Sequence, residues 1–117
     1  MLATDLILQK IQDLGEVKGC LIVGQDGLAI DSNLPESTDK ELISAIISAI
    51  LTETAKQSTR FKRGKPNIII METDNSVLTA SQINIENESM IIFIEFKLGL
   101  DTTQIMNSLK QITRIFK

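Results

Sequence analysis

The stretch Val17-Lys18-Gly19-Cys20-Leu21-Ile22-Val23-Gly24-Gln25-Asp26-Gly27-Leu28-Ala29-Ile30-Asp31-Ser32 reads as one β-hairpin, and the rest of the chain is placed around it. Val17 to Gly24 is short, apolar and rich in β-branched side chains, which pack well on a pleated surface. Leu28 to Leu34 alternates, with Leu28 and Ile30 set against Ala29 and Asp31. Asp26-Gly27 separates the two runs. Asp-Gly is a strong signal for a two-residue type I′ turn, whose central positions both require φ > 0. The spacing therefore predicts Asp26 and Gly27 both in the left-handed region, with Pro35 closing the unit.

Upstream, Ala3, Leu6, Ile7, Ile11 and Leu14 recur at steps of three and four, which predicts an amphipathic helix. Thr4 is its expected N-cap and Gly15 its left-handed stop. Downstream, Thr38 followed by Glu41 predicts a capping box at the start of a helix running from about Asp39 to Arg60. At roughly 100° per residue, Glu41, Ser44, Ser48, Thr52 and Thr59 crowd one narrow arc. Leu42, Ile43, Ala45, Ile46, Ile47, Ala49, Ile50 and Leu51 cover about two-thirds of the circumference, whereas a helix resting on one sheet needs a stripe a little over ~100° wide. The surplus predicts a second apolar contact, made either by deeper burial in a monomer or by another copy of the chain.

Three strands follow the basic segment Arg60, Lys62, Arg63 and Lys65: Asn67 to Thr73, Ser76 to Ile85, and Met90 to Phe96. Asp74-Asn75 and Glu86-Asn87-Glu88 are the turns between them. The continuous runs Ile68-Ile69-Ile70-Met71 and Met90-Ile91-Ile92-Phe93-Ile94 imply cover on both sheet faces. A last helix starts at Asp101, with Gln104 completing a capping box, Leu100 and Ile105 forming a hydrophobic staple, and Ile105, Leu109, Ile112 and Phe116 in its core stripe. Met106 and Ile115 flank that stripe. The order helix-strand-strand-helix-strand-strand-strand-helix predicts an α+β fold: one α/β/α sandwich domain over residues 1–117, built on a five-stranded antiparallel sheet.

Composition limits the chemistry. The chain has 117 residues, 12 Lys+Arg against 15 Asp+Glu, a net charge of −3, one Cys and no His, Trp or Tyr. Without His there is no imidazole acid, base or metal ligand, and one Cys excludes an intrachain disulfide or a Cys-rich zinc site. No catalytic residue, metal or cofactor is expected. Mild acidity argues against a general affinity for nucleic acid. Leu42 to Leu51 is the longest apolar stretch and is too short to insert across a bilayer. No secretion signal is legible at the N-terminus, so the expected location is cytoplasmic and the Asn87-Glu88-Ser89 sequon carries little weight. Cys20, inside an apolar strand, reads as an inert buried thiol.

Several pieces together resemble the roadblock family, with its MglB-like regulators: Val17 to Val23, then Gln25-Asp26-Gly27-Leu28-Ala29-Ile30-Asp31-Ser32, the long Ala/Ile helix, and Leu98-Gly99-Leu100 before an amphipathic closing helix. The resemblance implies a dimer, with itself or with another roadblock chain. The third strands would pair across it, the second helices would lie side by side on one face, and the first and third helices would cover the other. It also implies binding to a Ras-like small GTPase, as a regulator or as a scaffold with no nucleotide-state preference. On that basis Ile43, Ile46, Ile47, Ile50, Ile68, Ile69 and Ile70 are the expected dimer interface. Two readings stand for Ser44, Ser48, Thr52 and Lys56: a solvated ridge or a partner-docking ridge. Arg60 and Arg63 belong either to a solvated helix end, favourable against the C-terminal dipole, or to the docking surface.

Overall fold

Burial along the closing strands changes face at every residue. In a computed structural model describing residues 3–115, Met90, Ile92, Ile94 and Phe96 join one apolar cluster while Ile91 and Phe93 join another. Both faces of the sheet are therefore core, which is why its strands read as unbroken apolar runs. Met1, Leu2, Phe116 and Lys117 lie outside the described residues, as do the side chains of Ala3 and Ile115.

The elements run α1 (Ala3–Gln12), β1 (Val17–Val23), β2 (Ala29–Ser32), α2 (Lys40–Arg60), β3 (Ile68–Glu72), β4 (Val77–Ile85), β5 (Glu88–Phe96) and α3 (Thr102–Ile115). The five strands form one antiparallel sheet in the order β2-β1-β5-β4-β3. On one face, Ile7 and Ile11 of α1 and Ile105, Leu109 and Ile112 of α3 pack with Ile22, Ile92 and Phe96. On the other, Ile47 and Leu51 of α2 pack with Leu21, Val23, Ala80 and Phe93. The result is the expected α/β/α sandwich, with β2 and β3 at its two edges.

Local signals held in some places and shifted in others. At α3 the reciprocal box forms: Thr103 N–H donates to Asp101 Oδ1 (2.7 Å) and Asp101 N–H donates to Gln104 Oε1 (3.1 Å). At α2 the cap is Asp39, not Thr38. Asp39 Oδ1 accepts from Leu42 N–H (3.0 Å), and its negative charge also suits the helix N-terminus. Thr38 instead donates its N–H to the carbonyl of Pro35 (2.9 Å) in the turn leading in. Helix α1 is already running at Ala3, so Thr4 lies inside it rather than capping it. Gly15 does take the left-handed conformation (φ +77°).

The β1–β2 turn also differs from expectation. Only Gly27 is left-handed (φ +81°). Gly27 N–H donates to Gly24 C=O (3.0 Å), and Gly24 N–H donates to Leu28 C=O (2.9 Å). This is a type I turn ending in a glycine bulge, and the β1–β2 register shifts by one residue beside it. Asp26 stays right-handed because its carboxylate accepts the Leu28 N–H (3.1 Å) from that conformation. The two-residue turn with both positions left-handed falls elsewhere, at Glu86 (φ 51°) and Asn87 (φ 68°), so Glu88 pairs with Ile85 as part of β5. Strand β2 is shorter than the expected Leu28 to Leu34, and Leu28 and Ile30 are both exposed.

A candidate partner-binding surface on the second helix and the third strand

Helix α2 presents two faces of unexpected character. Ser44 and Ile47 face the sheet, with Leu51 below them and Ser48 half-buried beside them. The outward face carries Leu42 (54% exposed), Ala45, Ile46 (48% exposed) and Ala49. Small hydroxyl side chains let the helix approach the β1–β2 hairpin closely. Ser48 Oγ stands 3.5 Å from where a Cβ on Gly27 would be. Neither the Ser44 nor the Ser48 hydroxyl has a protein hydrogen-bond partner.

The expected interface residues separate accordingly. Ile46 is exposed, and Ile43, Ile50, Ile68, Ile69 and Ile70 are half-buried. Ile47 is only 7% exposed and packs chiefly in the chain's own core. Beside α2 a largely apolar groove of about 350 Å³ is lined by Leu34, Pro35, Ile43, Ile46, Ile47, Leu78 and Phe93, together with Thr38 and Glu95. Leu78 pairs with Met71 of β3, and Ile69 packs into the same cluster as Ile43 and Leu78. The exposed aliphatic surface thus runs from the outer face of α2 across the groove to β3. That strand has β4 as its neighbour on one side and ends the sheet on the other.

The expected polar ridge does not assemble as drawn. Ser44 is fully buried and is removed from any exposed docking ridge, and Ser48 is half-buried. Thr52, Lys56, Arg60 and Arg63 are exposed. Leu42, Ala45, Ala49 and Met71 were not singled out as site residues, yet they share the exposed apolar surface. The i, i+3, i+4, i+7 spacing of Leu42, Ala45, Ile46 and Ala49 is the signal that marks them as one stripe.

The one thiol is unsuited to chemistry at neutral pH. Burial pushes Cys20 from 9.0 up to about 11, against the opposing effect of hydrogen bonding with Asn33. It therefore stays a neutral thiol, whereas the thiolate is the nucleophile. Among the described residues no helix is long and apolar enough to cross a membrane.

Known proteins share this architecture. A Roadblock/LC7 domain from Streptomyces avermitilis superposes with a TM-score of 0.77 at 13% identity, covering 95% of this chain and 92% of that one. MglB of Myxococcus xanthus superposes with a TM-score of 0.73 at 14% identity, covering 98% of each chain. At such identities the likeness is one of fold. Two uncharacterised proteins of Methanocaldococcus jannaschii are each 44% identical over 45 residues, 38% of this chain and 40% of theirs. The chain thus spans under half the length of these curated relatives. The model of the Roadblock/LC7 domain matches residues 3–92, and the chain belongs to that family.

Proposed function

We propose that the chain is a single roadblock domain over residues 1–117 that dimerises through the outer face of α2 and the β3 edge and binds a Ras-like small GTPase. The observation that carries this reading is the continuous aliphatic surface from Leu42 and Ile46 across Ile43 and Leu78 to Ile69 and Met71. A monomer leaving that surface in water would expose both an apolar stripe and an unpaired strand edge, a template for aggregation. A second copy, or another roadblock chain, offers a matching stripe and a matching edge, so one contact covers both.

Family membership supports the GTPase reading. The dimer acts in the cytoplasm as a binding module rather than an enzyme. It shifts the GTPase between switch conformations only by as much as its affinity for them differs, a tenfold preference corresponding to about 1.4 kcal/mol. Thr52 and Lys56, exposed along the helix, are the polar residues offered for that contact.

Sedimentation at micromolar concentration tests the first half, and a clean monomer with no roadblock partner in the same genome removes it. The second half is tested by titrating the dimer against the Ras-like GTPases of the same genome, loaded with GDP or with a GTP analogue. The expected result is unequal affinity for the two states. Equal affinity with an unchanged hydrolysis rate would leave a scaffold.

A further inference from the structure

The chain is acidic, yet four of its 12 Lys+Arg fall within six residues, at Arg60, Lys62, Arg63 and Lys65, leaving eight against 15 Asp+Glu elsewhere. In their midst stands Phe61, 73% exposed, a greater exposure than Leu42 or Ile46 shows. The two ion pairs found among the described residues, Lys18–Glu95 and Lys97–Glu16, lie elsewhere. Arg60 donates to Gln57 Oε1 (3.3 Å), and Gln57 in turn donates to Glu53 (2.9 Å), so one of the four cations is linked indirectly to a carboxylate.

The backbone holds this segment outward. Helix α2 ends in a Schellman motif: Arg63 N–H donates to Ser58 C=O (3.0 Å) and Lys62 N–H to Thr59 C=O (2.9 Å). The left-handed residue of that motif is usually glycine, which has no Cβ to strain. Here it is Lys62 (φ 60°), and the chain turns left-handed again at Gly64 (φ +81°). Every residue from Phe61 to Lys65 is exposed.

We infer that Arg60–Lys65 docks the protein on an anionic lipid bilayer surface, with the cations among the headgroups and Phe61 at the acyl boundary. Charge density with an aromatic tip is what such a surface selects, and it demands no fixed partner geometry. A protein partner is selected by shape, and a wholly exposed segment of mostly long, flexible side chains offers little of it. For single-stranded nucleic acid the one aromatic is a thin stacking platform. The contact is peripheral and weak per copy, since each Lys or Arg strengthens adsorption only about fivefold. It does not depend on the GTPase reading, because it is measured with no GTPase present.

The test is co-sedimentation of the full chain with large vesicles of phosphatidylcholine alone or with about a third phosphatidylserine. Binding is expected to the anionic vesicles only, and to weaken as salt rises. The double variant Lys62→Glu, Arg63→Glu should weaken it more than about tenfold. Phe61→Ser should weaken it about threefold or more while the salt dependence persists. Unchanged far-UV circular dichroism shows that each variant is folded, as expected for exposed positions. Absence of binding at low salt, equal binding to both vesicle types, or indifference to the charge reversal would overturn the proposal. So would capture of RNA or of an acidic protein by a chain that ignores anionic vesicles.

Discussion

Ile46 and Ile47 are neighbours in sequence and identical in chemistry, and they belong to opposite worlds. Ile47 faces the sheet in the cluster of Leu21 and Phe93, while Ile46, about 100° away around the helix, stands 48% exposed. Their flanking residues invert the usual polarity. The inner face carries the hydroxyls of Ser44 and Ser48, and the outer face carries Leu42, Ala45 and Ala49. A helix in this position is sorted by size as much as by polarity. Small side chains go where the sheet and the Gly27 turn press closest, and the larger aliphatics are split between the core and the outer face.

Paired substitutions break that comparison most sharply. Ile47→Asp places a carboxylate in the core with no partner and should unfold the chain, at a cost of about 3–5 kcal/mol or more. Ile46→Asp should leave the protomer folded, with its thermal midpoint changed little at high dilution, but should shift the proposed dimer to monomer in sedimentation. If Ile46→Asp unfolds the chain as Ile47→Asp does, the outer face is not a separate surface.

The sequence was most legible where one local interaction decided the outcome. The order of elements, the two-faced sheet, the Asp101–Gln104 box and the Gly15 stop could all be read from spacing and residue type. The N-cap of α2 was placed one residue early, at Thr38, because Asp39 beside it is an equally good cap and only its hydrogen bond with Leu42 N–H decides between them. The turn at Asp26-Gly27 was read as two left-handed residues because the dipeptide favours them, but the bulged pairing with β2 requires only one. Glu86-Asn87, with no glycine, carries a weaker local signal and takes the two-residue turn because the long β4–β5 register leaves it no other length. The site was legible as a surplus of apolar surface on α2. Its direction was not, since polar residues were assigned to solvent and Ser44 and Ser48 follow packing instead. Phe116, expected in the α3 stripe, lies outside the described residues.

A second pair of variants tests size directly. Ser44→Leu adds bulk at a fully enclosed position and should cost about 1–3 kcal/mol through overpacking. Ala45→Leu, one residue on and exposed, should leave protomer stability within about 0.5 kcal/mol. Urea unfolding at a concentration where both are monomeric reads the difference. Equal effects would mean that the inner face has room to spare and that closeness to the sheet is not what selects serine there.

The smallest effect asks whether the Ser44 hydroxyl is tolerated or used. It is fully buried and without a protein partner. Ser44→Ala removes an unsatisfied polar group and improves helix propensity, so it should stabilise the protomer by about 1 kcal/mol, a shift of roughly 4 °C in Tm. The reciprocal change on the outer face, Ala45→Ser, should cost about 0.5 kcal/mol from propensity alone. A docking role for Ser44 predicts something else: partner affinity would fall in Ser44→Ala whatever happened to Tm. Because the side chain is enclosed by the helix and the sheet beneath it, affinity should stay unchanged while Tm rises. A fall in both would show that the hydroxyl holds the helix in place through a bound water, and the inner face of α2 would then be sorted by polarity after all.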